Sequence, residues 1–235
     1  MGALAMGCTG PGQPESGPTT APPTGPLDAR TRLAGLAAAA KDHRFVAGYT
    51  LTQPGRAART VTTTIATDGT WRIDVPGGAL GGAVDVSVVG ARDGVYQCVR
   101  GSATSCVRAG GALPASADPR VQHVFTDWLN VLTDRQAALS VAASPALTGT
   151  KGSCFSVEPT AVSMIVPVDA GIYCYAADGM LTAARVGFGS LVLATAVNPA
   201  PATVTLPGPV VAGAPVQTAA PPPPPSASAS ASARR

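Results

Sequence analysis

Five cysteines are the residues of this chain best suited to covalent chemistry: Cys8, Cys98, Cys106, Cys154 and Cys174. Cys8 stands apart. It follows Ala5-Met6-Gly7, three small or aliphatic residues, with Leu4 just upstream. The other four form an even set, which in an extracytoplasmic domain points to disulfides. Cys98 and Cys106 bracket the short polar run Val-Arg-Gly-Ser-Ala-Thr-Ser, which could fold back as a hairpin. Cys154 and Cys174 lie on predicted strands either side of the turn region Val168-Asp169-Ala170-Gly171. Four cysteines allow three connectivities. The reading taken pairs 98 with 106 and 154 with 174. Four buried free thiols are the competing reading. A metal site is disfavoured, because no pair has zinc-finger spacing and His43 and His123 are the only histidines.

Other chemistry finds few residues to carry it. A nucleophile needs an activating base. His43 sits in Lys41-Asp42-His43-Arg44 near a helix end and reads as solvated, while His123 reads as a surface or capping residue of a helix. No Gly-x-Ser-x-Gly, His-Glu-x-x-His or phosphate-binding glycine loop occurs. Gly77-Gly78-Ala79-Leu80-Gly81-Gly82 is glycine-rich but joins two strands, so it reads as a mobile loop, the lip of a cavity. The 13 acidic residues show no paired cluster. The expectation is a protein that is not an enzyme and uses no cofactor or metal. Charged residues make up 12% of the chain and the net charge is +3, too weak a footprint for nucleic acid.

The N-terminal run Ala5-Met6-Gly7-Cys8 resembles the lipobox of bacterial lipoproteins, with Ala5 where leucine is commonest. That resemblance implies a lipid on Cys8, a membrane anchor and an extracytoplasmic location. A secretory signal has a basic segment and an apolar core of about 7–15 residues. Only seven residues precede Cys8 (segment 1–7), so the expectation is a reading frame that begins further upstream. Residues 8–26 are rich in Gly, Pro, Ser and Thr and cannot bury enough apolar surface to offset chain entropy, which reads as a disordered spacer. Residues 212–235, with Pro221 to Pro225 and then Ser-Ala repeats, read as a stiff piece followed by a low-complexity tail. No run of about 18 apolar residues occurs, so attachment is expected through the lipid alone.

The folded part is expected at 27–211, one domain of ordinary size. It opens with a helix from Pro26-Leu27-Asp28, carrying Leu33, Leu36, Ala37 and Ala40 on one side. Strands are expected at 45–51, 60–67, 71–75, 84–89 and 95–99. Asp68-Gly69, Asp93-Gly94 and Asp178-Gly179 each join two strands, and Asp-Gly suits a turn with positive φ at both positions. Such turns mark an antiparallel meander. Asp118-Pro119 opens a helical insert with Val121, Val124, Phe125, Trp128 and Leu132 as its apolar stripe. Thr133-Asp134-Arg135-Gln136 looks like a capping box for a second short helix through Leu139. Strands then resume at 154–157, 161–166, 171–175, 181–186 and 190–196, with a last one at 203–206. The fold class is therefore α+β. About ten or eleven strands are enough to curve strongly or form an open barrel rather than stay flat.

This layout is similar to the LolA/LolB-like fold of envelope lipoproteins, including its LppX/LprG-type lipid-carrying members. The features that carry the likeness are the lipobox, the spacer, the helix before Phe45, the Asp-Gly hairpins and the helical insert with Trp128. The resemblance implies a strongly curved antiparallel sheet, an open half-barrel wrapped around the N-terminal helix and the insert, and a hydrophobic cavity for a lipid or acyl chain. Phe125, Trp128, Leu132, Trp71 and Ile73 would then line the cavity, although an apolar helix stripe is more often plain core. The alternative is a surface lipoprotein with a filled core that binds or regulates an envelope protein partner.

Overall fold

The structure is a computed structural model that describes residues 26–160 and 168–221. Cys8, the lipobox, nearly all of the spacer, the strand expected at 161–166 and the tail beyond Pro221 lie outside the described residues.

The described residues build one open antiparallel sheet of 12 strands with two α-helices. Helix α1 (Pro26–Asp42) leads into β1 (Phe45–Thr52), β2 (Arg59–Ile65), β3 (Trp71–Ala79), β4 (Val84–Ala91), β5 (Gly94–Arg100) and β6 (Ser105–Gly110). The insert is a 3-10 helix, Val121–Phe125, followed by α2 (Asp127–Thr133). The remaining strands are β7 (Leu139–Ser144), β8 (Ser153–Pro159), β9 (Gly171–Tyr175), β10 (Leu181–Val186), β11 (Gly189–Leu193) and β12 (Asn198–Pro199). The order across the sheet is β6-β5-β4-β3-β2-β1-β11-β10-β9-β8-β7, and β12 pairs with β1. The sheet is thus two meanders joined where β1 meets β11.

Period-two alternation decides which residues face the helices. Phe45, Ala47, Tyr49 and Leu51 of β1, Ile73 and Val75 of β3, Phe155 and Val157 of β8, and Tyr173 and Tyr175 of β9 share a cluster with Leu33 and Ala37 of α1 and Leu129 and Leu132 of α2. Leu33 and Ala37 are fully buried, while Leu36 and Ala40 pack on the cluster's margin.

Two of the Asp-Gly turns show how the hairpins close. Gly69 N–H donates to Ala66 O at 3.0 Å and Gly179 N–H to Ala176 O at 3.0 Å. Gly69 and Gly179 have φ of 84° and 92°, whereas Asp68 and Asp178 stay at negative φ. Each is therefore a three-residue loop with a single left-handed glycine, not the two-residue turn expected. The aspartates contribute through their side chains, with Asp68 Oδ1 accepting from Thr70 N–H and Asp178 Oδ1 from Met180 N–H. Gly179 also packs on α1, where a Cβ would come within 2.6 Å of Ala39 Cβ and 2.8 Å of Leu36 O.

Several elements differ from expectation. The insert is broken at Thr126, whose φ of −127° and ψ of −108° are not helical, so one expected helix is two short ones. The capping box at Thr133 starts no helix. Asp134 Oδ1 accepts from Gln136 N–H in a tight turn, and Leu139–Ser144 pairs with β8 as an edge strand. Tertiary pairing here overrides the helix expected through Leu139, as context often does. Thr203–Leu206 forms no strand; Val204 N–H is taken by the Thr70 hydroxyl at 2.9 Å. The glycine-rich run is fastened at several points. Gly77 N–H donates to Asp85, Gly77 O accepts from Arg59, and Leu80 and Gly81 N–H donate to Gln217 O and Thr218 O.

The boundary expected between Val211 and Ala212 falls inside an attached segment. Cys106 N–H donates to Pro209 O, and Val211 N–H donates back to Cys106 O, so the segment runs along the open edge of β6. Further on, the Gln97 amide accepts from Val216 N–H at 2.6 Å and donates to Val216 O at 3.0 Å. Composition gave no sign of this, because the segment is held by its backbone and needs few apolar side chains.

Candidate functional site

The four remaining cysteines form two disulfides, Cys98–Cys106 and Cys154–Cys174. Each joins residues directly opposed on neighbouring antiparallel strands, β5 with β6 and β8 with β9. Alternation places both on the face away from the helices. Cys98 and Cys106 pack with Val89, Tyr96 and Leu206, and Cys154 and Cys174 with Ala183, Leu147 and Ile172.

Of the residues expected to line a cavity, Ile73, Phe125, Trp128 and Leu132 lie in one continuous buried cluster, and Trp71 packs at its margin. Phe125 meets Tyr49 edge-on with ring centres 5.0 Å apart, and Phe45 at 6.4 Å. Trp128 stacks near Phe188 at 6.3 Å and meets Tyr173 edge-on at 6.3 Å. The void beside Phe45, Val124, Phe125, Leu129 and Leu181 has a volume of about 30 Å³. That is room for about one water.

The insert carries the main polar cluster. His123 lies between two carboxylates, with Nε2 2.7 Å from Asp118 Oδ2 and Nδ1 2.6 Å from Asp127 Oδ1. Its ring stacks on Trp128 at 5.4 Å, and the Arg120 guanidinium lies 5.8 Å from the same indole. Arg120 pairs with Asp169. Burial opposes the charge on His123, but hydrogen bonds to Asp118 and Asp127, with their charges, outweigh it and raise its pKa from 6.5 to about 9. Burial likewise opposes the charges on Asp118 and Asp127, yet the bonds to His123 hold both below the ordinary carboxylate value. An imidazolium with both nitrogens donating to carboxylates has no free nitrogen for proton transfer to a substrate. This cluster is a clamp on the insert. The sequence signal for it was the carboxylate–histidine spacing of five and four residues through Asp118, His123 and Asp127. His43 is held at 2.8 Å from Asp178 O and meets Phe45 edge-on.

Two larger clefts flank the insert, besides one of about 200 Å³ lined by Lys41, Arg44, Trp71, Phe125 and Leu129. One, of about 320 Å³, opens among the ends of β1 and β3 and the start of the insert; Leu51, Val75, Gly77, Gly78, Arg56, Arg120 and Phe188 are among its walls. The other, of about 410 Å³, lies between the insert and the opposite end of β3, with Trp71, Val95, Gln122, His123, Asp127 and Asn130 among its walls. No helix among the described residues is long and apolar enough to cross a membrane. Among the described residues, no group of three or more His, Cys, Asp or Glu side chains is arranged to hold a metal ion. Compared with known proteins, the chain matches no family model, and no curated protein matches it significantly.

Proposed function

We propose that this protein is an exported binding module with a filled core, tethered to a membrane by a lipid on Cys8 and working by recognition rather than catalysis. The observation that carries the reading is the packing of the helical face. Ile73, Phe125, Trp128 and Leu132 pack with Tyr49, Phe155 and Tyr173; the space between Phe125 and Phe45 is about 30 Å³, and the cleft of about 200 Å³ that also reaches Phe125 has Lys41 and Arg44 in its walls. An acyl chain needs room for many methylenes, each worth about 0.8 kcal/mol when buried. In this reading the helical face is the concave side of a half-barrel, and its own helices occupy the space a lipid would take. Recognition falls to the rims of the insert, where the clefts are.

Two paired disulfides support export, since such bonds persist in oxidising compartments. The experiment is organic extraction of the purified, unlipidated domain followed by mass spectrometry. No lipid at stoichiometric level is expected. A stoichiometric acyl lipid would establish the carrier reading in its place. That second reading draws on the 320 Å³ cleft, which reaches the core side chains Leu51, Val75 and Val121. The tether has its own test: Cys8→Ser should move the protein from the membrane fraction to the soluble one, and unchanged fractionation would refute the anchor.

A further inference from the structure

The cleft between Trp71 and the insert has features of a ligand site that the filled-core reading leaves unused. We propose that it binds a neutral saccharide, one hexose-sized unit, with the sugar's apolar face on the Trp71 indole and its hydroxyls against Gln122, Asp127 and Asn130. The inference rests on the binding-module reading and names a ligand class for it.

The platform comes first. Trp71 pairs with Gly90 across β3 and β4, and a Cβ on Gly90 would overlap the indole. The ring is therefore pressed against bare backbone, and its remaining surface is half-exposed and lines the cleft. A large, fixed, amphipathic ring of this kind offers contact area to the C–H face of a sugar at little entropic cost.

The second observation is an unpaired acceptor. Gln122 is 4% exposed and lines the same cleft. Its Nε2 donates to Asp118 Oδ1 at 2.6 Å, which fixes the orientation of the amide. Oε1 is then left buried, with no donor among the described residues. Buried acceptors are rarely left so. Oε1 is closed off from solvent, so a ligand hydroxyl would satisfy it only as the amide shifts toward the cleft.

Charge narrows the class. Asp127 and His123 both stand on this wall and offset each other's charge. An anionic ligand would meet the exposed Asp127 carboxylate. A cationic one would face His123 on this wall and Lys41 and Arg44 in the adjoining cleft on the other side of Trp71. A neutral molecule rich in hydroxyls avoids both. Asp127 Oδ1 is taken by His123 and Thr126, which leaves its second oxygen and the exposed Asn130 amide to exchange hydrogen bonds with it. The volume of about 410 Å³ suits a small ligand.

The test uses the purified, disulfide-bonded protein and the probes glucose, galactose, mannose, arabinose and N-acetylglucosamine at millimolar concentration. Saturation-transfer NMR on the sugar reports binding, and tryptophan fluorescence reports the site. At least one probe should bind and change the emission. Trp71→Phe should abolish that change, since Trp128 is the only other tryptophan. Asn130→Ala should weaken binding about tenfold, equal to about 1.4 kcal/mol. Ala112→Trp should block the cleft. Both are exposed positions whose replacement leaves the core intact. Absence of binding by every probe to folded protein would overturn the proposal, as would binding indifferent to Asn130→Ala and Ala112→Trp. Lipid extraction is scored separately: a stoichiometric lipid overturns the filled core, whereas failed sugar titration on lipid-free protein overturns only the saccharide.

Discussion

His123 is where a single side chain most clearly couples charge to the fold. Its pKa is raised from 6.5 to about 9 in the folded chain. Below pH 6.5 the ring is protonated in both the folded and unfolded states, and its contribution to stability is complete. Between 6.5 and 9 the unfolded chain releases the proton while the folded one keeps it, so that contribution falls, and it is gone above 9. Asp118 and Asp127 run the other way. Their values lie below 3.8, so they stabilise above that pH and lose their effect as the pH falls through the lowered values. The melting temperature should therefore be highest between 3.8 and 6.5 and should decline toward 9. In His123→Gln the alkaline decline should be much smaller. Calorimetry across that range decides it, and an equal decline in both proteins would show that the clamp does not couple to folding.

At the scale of elements, the joint between α1 and the edge of the sheet is made by one side chain. Arg30 of α1 donates to three carbonyls, Asp134 O at 2.7 Å, Ala137 O at 2.8 Å and Leu139 O at 3.0 Å. One guanidinium thus closes the turn between α2 and the edge strand β7. Arg30→Met should cost about 2 kcal/mol, since hydrogen bonds to charged groups contribute about 1.5–3 kcal/mol net and three on one side chain are not additive. Urea titration measures it. The disulfides are the other joints. They close loops of 8 and 20 residues. In the chain-entropy account the longer loop is worth about 0.8 kcal/mol more. Replacing Cys154 and Cys174 with alanine should therefore lower stability further than replacing Cys98 and Cys106. The reverse order would mean that packing around each bond outweighs loop closure.

For the whole molecule, the unusual feature is how an open sheet treats its edges. An unpaired edge invites a foreign strand. Here β6 is covered by the segment around Val210, which then runs on to Gln97, Leu80 and Gly81. Truncation after Val211 should remove the bonds of Val216, Gln217 and Thr218 to the body of the fold. At about 0.5–1.5 kcal/mol each, their loss should cost about 2–5 kcal/mol. A truncated chain that melts at the same temperature as the full one would show the segment to be a passive cover.

The sequence by itself determined the local layout. Asp-Gly turns, β-branched runs and period-two alternation marked the hairpins, because each is a short-range matter of backbone sterics and which face is apolar. The pairing of cysteines across neighbouring strands was legible for the same reason: adjacent strands bring near neighbours together. The tertiary structure alone decided the rest. Leu139–Ser144 became a strand because β8 offered it a partner, and the apparent tail became an edge cover because backbone bonds to Cys106, Gln97 and Ser116 hold it. The insert's apolar stripe met the aromatic residues of β1 and β9, leaving about 30 Å³ between Phe125 and Phe45. Trp71 and Gln122 lie far apart in the chain, and only the fold could set them in the walls of one cleft. Periodicity tells a side chain which way to face, whereas whether the space it faces is filled depends on volumes contributed from across the chain.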